Sequence, residues 1–212
     1  MNADWYFDFI SPFSYLQLAK IPSLRARLHI TPIPIVFGAV LKHHGQLGPA
    51  EIAGKREFTY RVVQWTAERE GIAFRFPPAH PFNPIAALRL AVAAGSTWPA
   101  VSAIFEHIWK HGRAGEDGDS LADVGRELGI VDVAQAIARD DVKATLRANT
   151  ETAIAAGVTP GIRAAWPSVI GRTRSSLSRI SRDKPGIPLN PNSAGMGRRS
   201  ASFRRSICFS CC

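Results

Sequence analysis

The first 207 residues contain no cysteine; Cys208, Cys211 and Cys212, at the very end, are the only three. That absence excludes disulfides, thiolate catalysis and a cysteine-ligated metal from the body of the protein. Long apolar runs are missing as well. No stretch of about 18 uncharged apolar residues occurs, which argues against a transmembrane helix. Met1-Asn-Ala-Asp4 lacks the basic region and apolar stretch of a secretory signal, so the expectation is a cytoplasmic protein. Acidic residues are nearly absent from the last stretch: residues 172–212 hold nine Lys or Arg against Asp183 alone. Most of the net charge of +9 therefore sits there, and the rest is close to neutral. This basic stretch lacks interleaved aromatics, which disfavours a nucleic-acid partner. At 212 residues, with 46 % apolar and 20 % charged, the chain suits one good core or a domain carrying an insertion.

What is present opens as β-α-β. Asp4–Ile10 reads as a buried strand of aromatic and branched residues. Ser11 then reads as a helix N-cap with Pro12 at the first helical position, and apolar spacing continues the helix to about residue 28. Thr31–Phe37 reads as a second strand, whose two prolines suggest an irregular or edge position. From Gly38 to Gly157 the periodicity is helical, with segments expected at 50–70, 83–94, 98–111, 119–128, 131–139 and 141–156. Gly129 and Gly157 suit C-terminal caps. After Gly157, Trp166–Ile170 reads as a short strand. Residues 172–212 lack apolar periodicity and read as a basic, disordered tail. The division is thus 1–37 (β-α-β), 38–157 (helical insertion), 158–171 (remnant of the α/β part) and 172–212 (tail).

Chemistry concentrates in Phe7–Tyr15. A small hydroxyl where a strand ends and a helix begins can hydrogen-bond an anion such as a thiolate or carboxylate, aided by free N–H groups there. From spacing alone, a plain helix cap explains Ser11 better. His43-His44 are adjacent, point apart and have no third ligand nearby, so a surface loop is the better reading. His107 and His111 share a helix face without the carboxylate of a zinc-protease pattern, and suggest a partly exposed face. The acidic loop 112–119 lacks the spacing of a calcium loop. No metal site is expected.

The string Asp8-Phe-Ile-Ser-Pro-Phe-Ser-Tyr-Leu16 resembles the signature of 2-hydroxychromene-2-carboxylate isomerases. These are glutathione-dependent members of the DsbA-like thioredoxin superfamily, related to kappa-class glutathione transferases. Further blocks are similar and follow in the same order: Val36-Phe-Gly-Ala-Val-Leu-Lys42, Phe74-Arg-Phe-Pro-Pro78, Phe82-Asn-Pro-Ile-Ala-Ala-Leu-Arg89 and Val142-Lys-Ala-Thr-Leu-Arg-Ala-Asn-Thr-Glu151. Where a redox thioredoxin carries Cys-x-x-Cys, this chain has Ser11-Pro-Phe-Ser14. The resemblance implies an α/β thioredoxin-like fold with an all-helical insertion, and glutathione as cofactor. It implies that Ser11 activates the glutathione thiol, Lys42 meets a substrate carboxylate and Asn83 faces the substrate. The bland readings are a solvated surface lysine for Lys42 and an N-cap for Asn83. Glu51 and Ile52 match the family's other substrate contact poorly.

The resemblance ends near Val158. Pro160 stands as a remnant of the family's glutathione-lining cis-proline, but the Trp-Gly-x-Asp-Arg loop that binds glutathione is absent. An abrupt change in composition there is what a reading-frame shift produces. The leading expectation is an isomerase acting on a small aromatic carboxylate in aromatic degradation. The alternatives are a kappa-like glutathione transferase and a non-catalytic binding module. A homodimer is left open.

Overall fold

A computed structural model describes residues 2–158 and 205–208. Helices dominate, as the periodicity predicts, and a small parallel sheet anchors them. The chain opens with strand β1 (Asn2–Phe7), followed by helices α1 (Pro12–Leu18) and α2 (Ile21–Arg25) and strand β2 (His29–Pro34). The single helix expected from 12 to 28 is two. Pro22 has no N–H to offer the Leu18 carbonyl, so the helical ladder stops and restarts at Ile21. Helix α3 (Phe37–His43) and a 3-10 turn (Pro49–Glu51) lead into α4 (Lys55–Glu70). Then come α5 (Ile85–Ala93), α6 (Trp98–Phe105) with a π turn (Glu106–Lys110), α7 (Ala122–Glu127), α8 (Val133–Ala138) and α9 (Asp140–Ala155).

Strand β1 pairs in parallel with β2, from Asn2↔His29 to Phe7↔Pro34. It also pairs in parallel with a third strand, β3 (Arg205–Cys208), giving the order β2-β1-β3. Among the described strands, Pro32 and Pro34 thus lie on an edge strand, where a missing donor is tolerated. The expectation of a structureless tail is corrected at Arg205–Cys208: these residues pair with the edge of β1 that the sequence left open. The tail's other residues, and the expected strand at 166–170, lie outside the described residues.

Alternation along β1 feeds two cores. Ala3, Trp5 and Phe7 point to one face and join Phe9, Tyr15, Leu88, Ile104, Phe105 and Trp109. Tyr6 points to the other face, among Ile35, Phe37, Val40, Leu41, Ala153 and Val158. Both faces of this parallel sheet are therefore covered by helices. On the larger side the rings pack closely: Trp5 and Phe7 have centroids 4.7 Å apart, and Phe9 and Phe105 4.5 Å. The helical segment and the β-α-β start share one core, which fixes the Ser11 turn from behind. Among the described residues no helix is long and apolar enough to cross a membrane.

Candidate active site

Beyond β1 the chain makes a tight turn through Asp8–Ser11, and its carbonyls are held. Ser11 N–H donates to the Asp8 carbonyl at 3.1 Å. The buried indole of Trp109 donates to the Phe9 carbonyl at 2.8 Å. His80 Nε2 lies 2.9 Å from the Ile10 carbonyl. A carbonyl can only accept, so Nε2 carries the proton there and Nδ1 is left to accept. The Tyr60 hydroxyl, on α4, lies 2.6 Å from Nδ1 and 2.8 Å from the His80 carbonyl. Burial holds the His80 imidazolium pKa below its ordinary value, favouring the neutral ring.

Ser11 does cap α1: its Oγ accepts from Ser14 N–H at 3.3 Å. It is also only 5 % exposed and lines a cleft of about 190 Å³. The turn contributes Ile10, Ser11, Pro12 and Phe13 to this cleft; α3 contributes Phe37, Gly38 and Leu41. The far wall is Gly48, Ala50 and Glu51, with Thr59 from α4 and the His80–Pro81 pair, joined by a cis peptide. Glu51 is not free in the cleft: its carboxylate accepts the Gly48 N–H at 2.6 Å. The lining is mostly apolar. The Ser11 hydroxyl proton, committed to no acceptor among the described residues, is available to a ligand.

The other residues singled out by sequence lie elsewhere. Lys42 is exposed on α3, next to Leu41 in the wall, and does not line the cleft. Asn83 is exposed as well, and its Oδ1 accepts the Ile85 N–H at 3.1 Å, as an Asx turn ahead of α5. Pro160 lies outside the described residues. His107 is buried rather than partly exposed: the π turn directs it inward, where its Nε2 meets the Ala114 carbonyl at 2.9 Å. The sequence did not single out Asp8, His80 and Tyr60 as site residues, although Asp8 opens the matching string. Asp8 reaches Phe37, His80 reaches Ile10 and Tyr60 reaches His80 through contacts across 20 to 70 residues.

Comparison with known proteins agrees with this architecture. A curated 2-hydroxychromene-2-carboxylate isomerase of Sphingobium xenophagum is 29 % identical over 135 residues, spanning 60 % of this chain and 68 % of that protein. A solved 2-hydroxychromene-2-carboxylate isomerase superposes with a TM-score of 0.64 at 24 % identity, covering 74 % of this chain and 81 % of the other. A putative protein disulfide isomerase from Nitrosomonas europaea superposes with a TM-score of 0.57 at 16 % identity, covering 74 % and 79 %. The homology supports an isomerase-like enzyme at the level of the family. The family model for the DSBA-like thioredoxin domain matches residues 3–160, and the chain belongs to that family.

Proposed function

We propose that the chain is a glutathione-dependent isomerase of a small conjugated aromatic carboxylate, of the 2-hydroxychromene-2-carboxylate type. One observation carries this reading: the buried Ser11 hydroxyl, with no acceptor for its proton among the described residues, lines a mostly apolar cleft to which they contribute no cysteine. In this reading, therefore, the thiol arrives with a ligand. Glutathione, when bound, supplies a thiolate that adds reversibly to a conjugated substrate.

The chain's own contribution follows from its geometry. Ser11 Oγ accepts the Ser14 N–H, and its own proton is free to turn to a ligand in the cleft. Donating that proton to sulfur favours the charged form and lowers the thiol's pKa. Phe13, Phe37 and Leu41 keep water from the sulfur and strengthen the hydrogen bond. His80 and Trp109 hold the carbonyls on either side of Ile10, so the serine does not need to be reoriented on binding. Lys42, one residue beyond Leu41, is assigned to meet the substrate carboxylate from the rim.

The test is interconversion of 2-hydroxychromene-2-carboxylate and trans-o-hydroxybenzylidenepyruvate, followed by absorbance with and without glutathione. Glutathione-dependent turnover with the thiol recovered unconsumed is expected. Consumption of glutathione would make the protein a transferase. Turnover independent of glutathione would refute the reading.

A further inference from the structure

Asp8 is the most deeply buried ionisable side chain of the Ser11 region, 2 % exposed at the end of β1. It does not line the cleft, so it acts through others. Its Oδ1 accepts the Ile10 N–H at 3.1 Å, and its Oδ2 accepts the Phe37 N–H at 2.8 Å. Ile10 precedes Ser11 on one wall of the cleft; Phe37 begins α3, which supplies another. The Phe7 carbonyl accepts from Ile35 N–H at 3.0 Å beside it, but that bond stops short of α3. Asp8 is therefore the side chain that ties the serine turn to the first turn of α3.

We propose that the Asp8 carboxylate is the positioning residue of the Ser11 cleft, holding two of its walls together by accepting one amide N–H from each. The proposal rests on the reading of that cleft as the functional site. A carboxylate offers two equivalent acceptors, whereas a neutral acid turns one oxygen into a hydroxyl that needs an acceptor of its own. Protonation thus breaks one of the two ties and lets the walls part. Burial raises the Asp8 pKa from 3.8 to about 7, with the amides of Phe37, Ile10 and Phe9 opposing that rise. None of these influences is a charged side chain. The titratable groups around the cleft are Glu51 on the 3-10 turn, His80 on the connection to α5, and Tyr60 with nearby Arg56 on α4; Lys42 and His43 lie on α3. The cleft is expected to be closed and ordered above neutrality and loosened below it.

The experiment is an NMR titration of the full chain from mildly acidic to mildly basic pH, following the amides of Ile10, Ser11, Phe37 and Gly38 and the Asp8 carboxyl carbon. All are expected to move with one midpoint near neutrality, and glutathione affinity should weaken about tenfold on the acid side of it. Asp8→Asn cannot titrate and keeps only one acceptor, so it should flatten all four amide curves. If that variant does not fold, the wild-type titration decides alone. An Asp8 carboxyl that titrates while Ser11 and Gly38 stay still overturns the proposal, as does glutathione affinity that ignores the step. Four amides moving together with no glutathione binding at any pH would uphold the positioning role and refute the glutathione reading instead.

Discussion

Ser11 has two duties, and one substitution separates them. As a cap it satisfies the Ser14 N–H, and Ser11→Ala should destabilise the fold by about 0.5–2 kcal/mol. As thiolate stabiliser its loss should cut glutathione-dependent turnover by about 10²-fold or more, the range for a positioned hydrogen-bond donor. Thermal melts and steady-state rates on the same variant give both numbers. A rate change below about threefold, beside a lowered Tm, would leave Ser11 only its cap. Asp8 makes the opposite kind of demand. Its folded pKa of about 7 exceeds the unfolded value of 3.8, so on raising the pH the unfolded chain releases this proton first. Its contribution to stability is therefore greatest below about pH 4, declines through neutrality and is flat above. Relative to Asp8→Asn, the wild type should lose on the order of 4 kcal/mol across that window, read from denaturant midpoints at several pH values. A gap independent of pH would show that Asp8 is not strained by burial. Ser11 was legible in the sequence because its partners are its own neighbours. Asp8 lies in the same string, yet its decisive partner is Phe37, brought close only by the pairing of β1 with β2.

Elements were read well where periodicity alone decides. The helices from α5 to α9 lie within the expected segments to within a few residues, whereas α4 begins at Lys55 rather than 50, after the 3-10 turn and Gly54; Gly129 and Gly157 take the positive φ of helix ends, +76° and +74°. Boundaries slipped where a single atom matters: Pro22 divides α1 from α2, and β1 stops at Phe7 because Asp8 turns its carboxylate toward α3. The connection between α4 and α5 showed no helical or strand periodicity, yet it carries His80 into the cleft. Tyr15 and Trp109 hold its first half through the Ala73 carbonyl and the Arg75 N–H, and at its far end the Tyr60 hydroxyl is shared between the His80 ring and carbonyl. Tyr60→Phe removes that donor while leaving α4 helical, at a cost of about 0.5–1.5 kcal/mol. Amide exchange in residues 72–84 should quicken, and glutathione affinity should fall about threefold as Ile10 loses its fixed neighbour. Unchanged exchange in that segment would show that the Ile10 carbonyl and the Phe82 and Trp109 rings hold His80 without Tyr60.

On the scale of the molecule, β1 is the spine: its odd residues enter the larger core, Tyr6 enters the smaller one, and strands flank it on both sides. The sequence disclosed the two faces through the density of aromatic and branched residues, but it hid the second flank. Arg205–Cys208 has no apolar alternation to advertise a strand, because what joins it to β1 is backbone pairing, from Ala3↔Arg205 to Tyr6↔Cys208. An unpaired edge on a strand this apolar is a template for other chains. Ending the chain after Arg204 keeps every helix named above and takes away the β3 residues that pair with β1, so it tests what β3 contributes. The shortened chain should remain helical by circular dichroism, melt several degrees lower and form soluble aggregates on a sizing column at concentrations where the full chain is monodisperse. If the shortened chain is as monodisperse and as stable as the full one, β3 adds nothing to the sheet, and the two cores on β1 suffice to hold the Ser11 cleft.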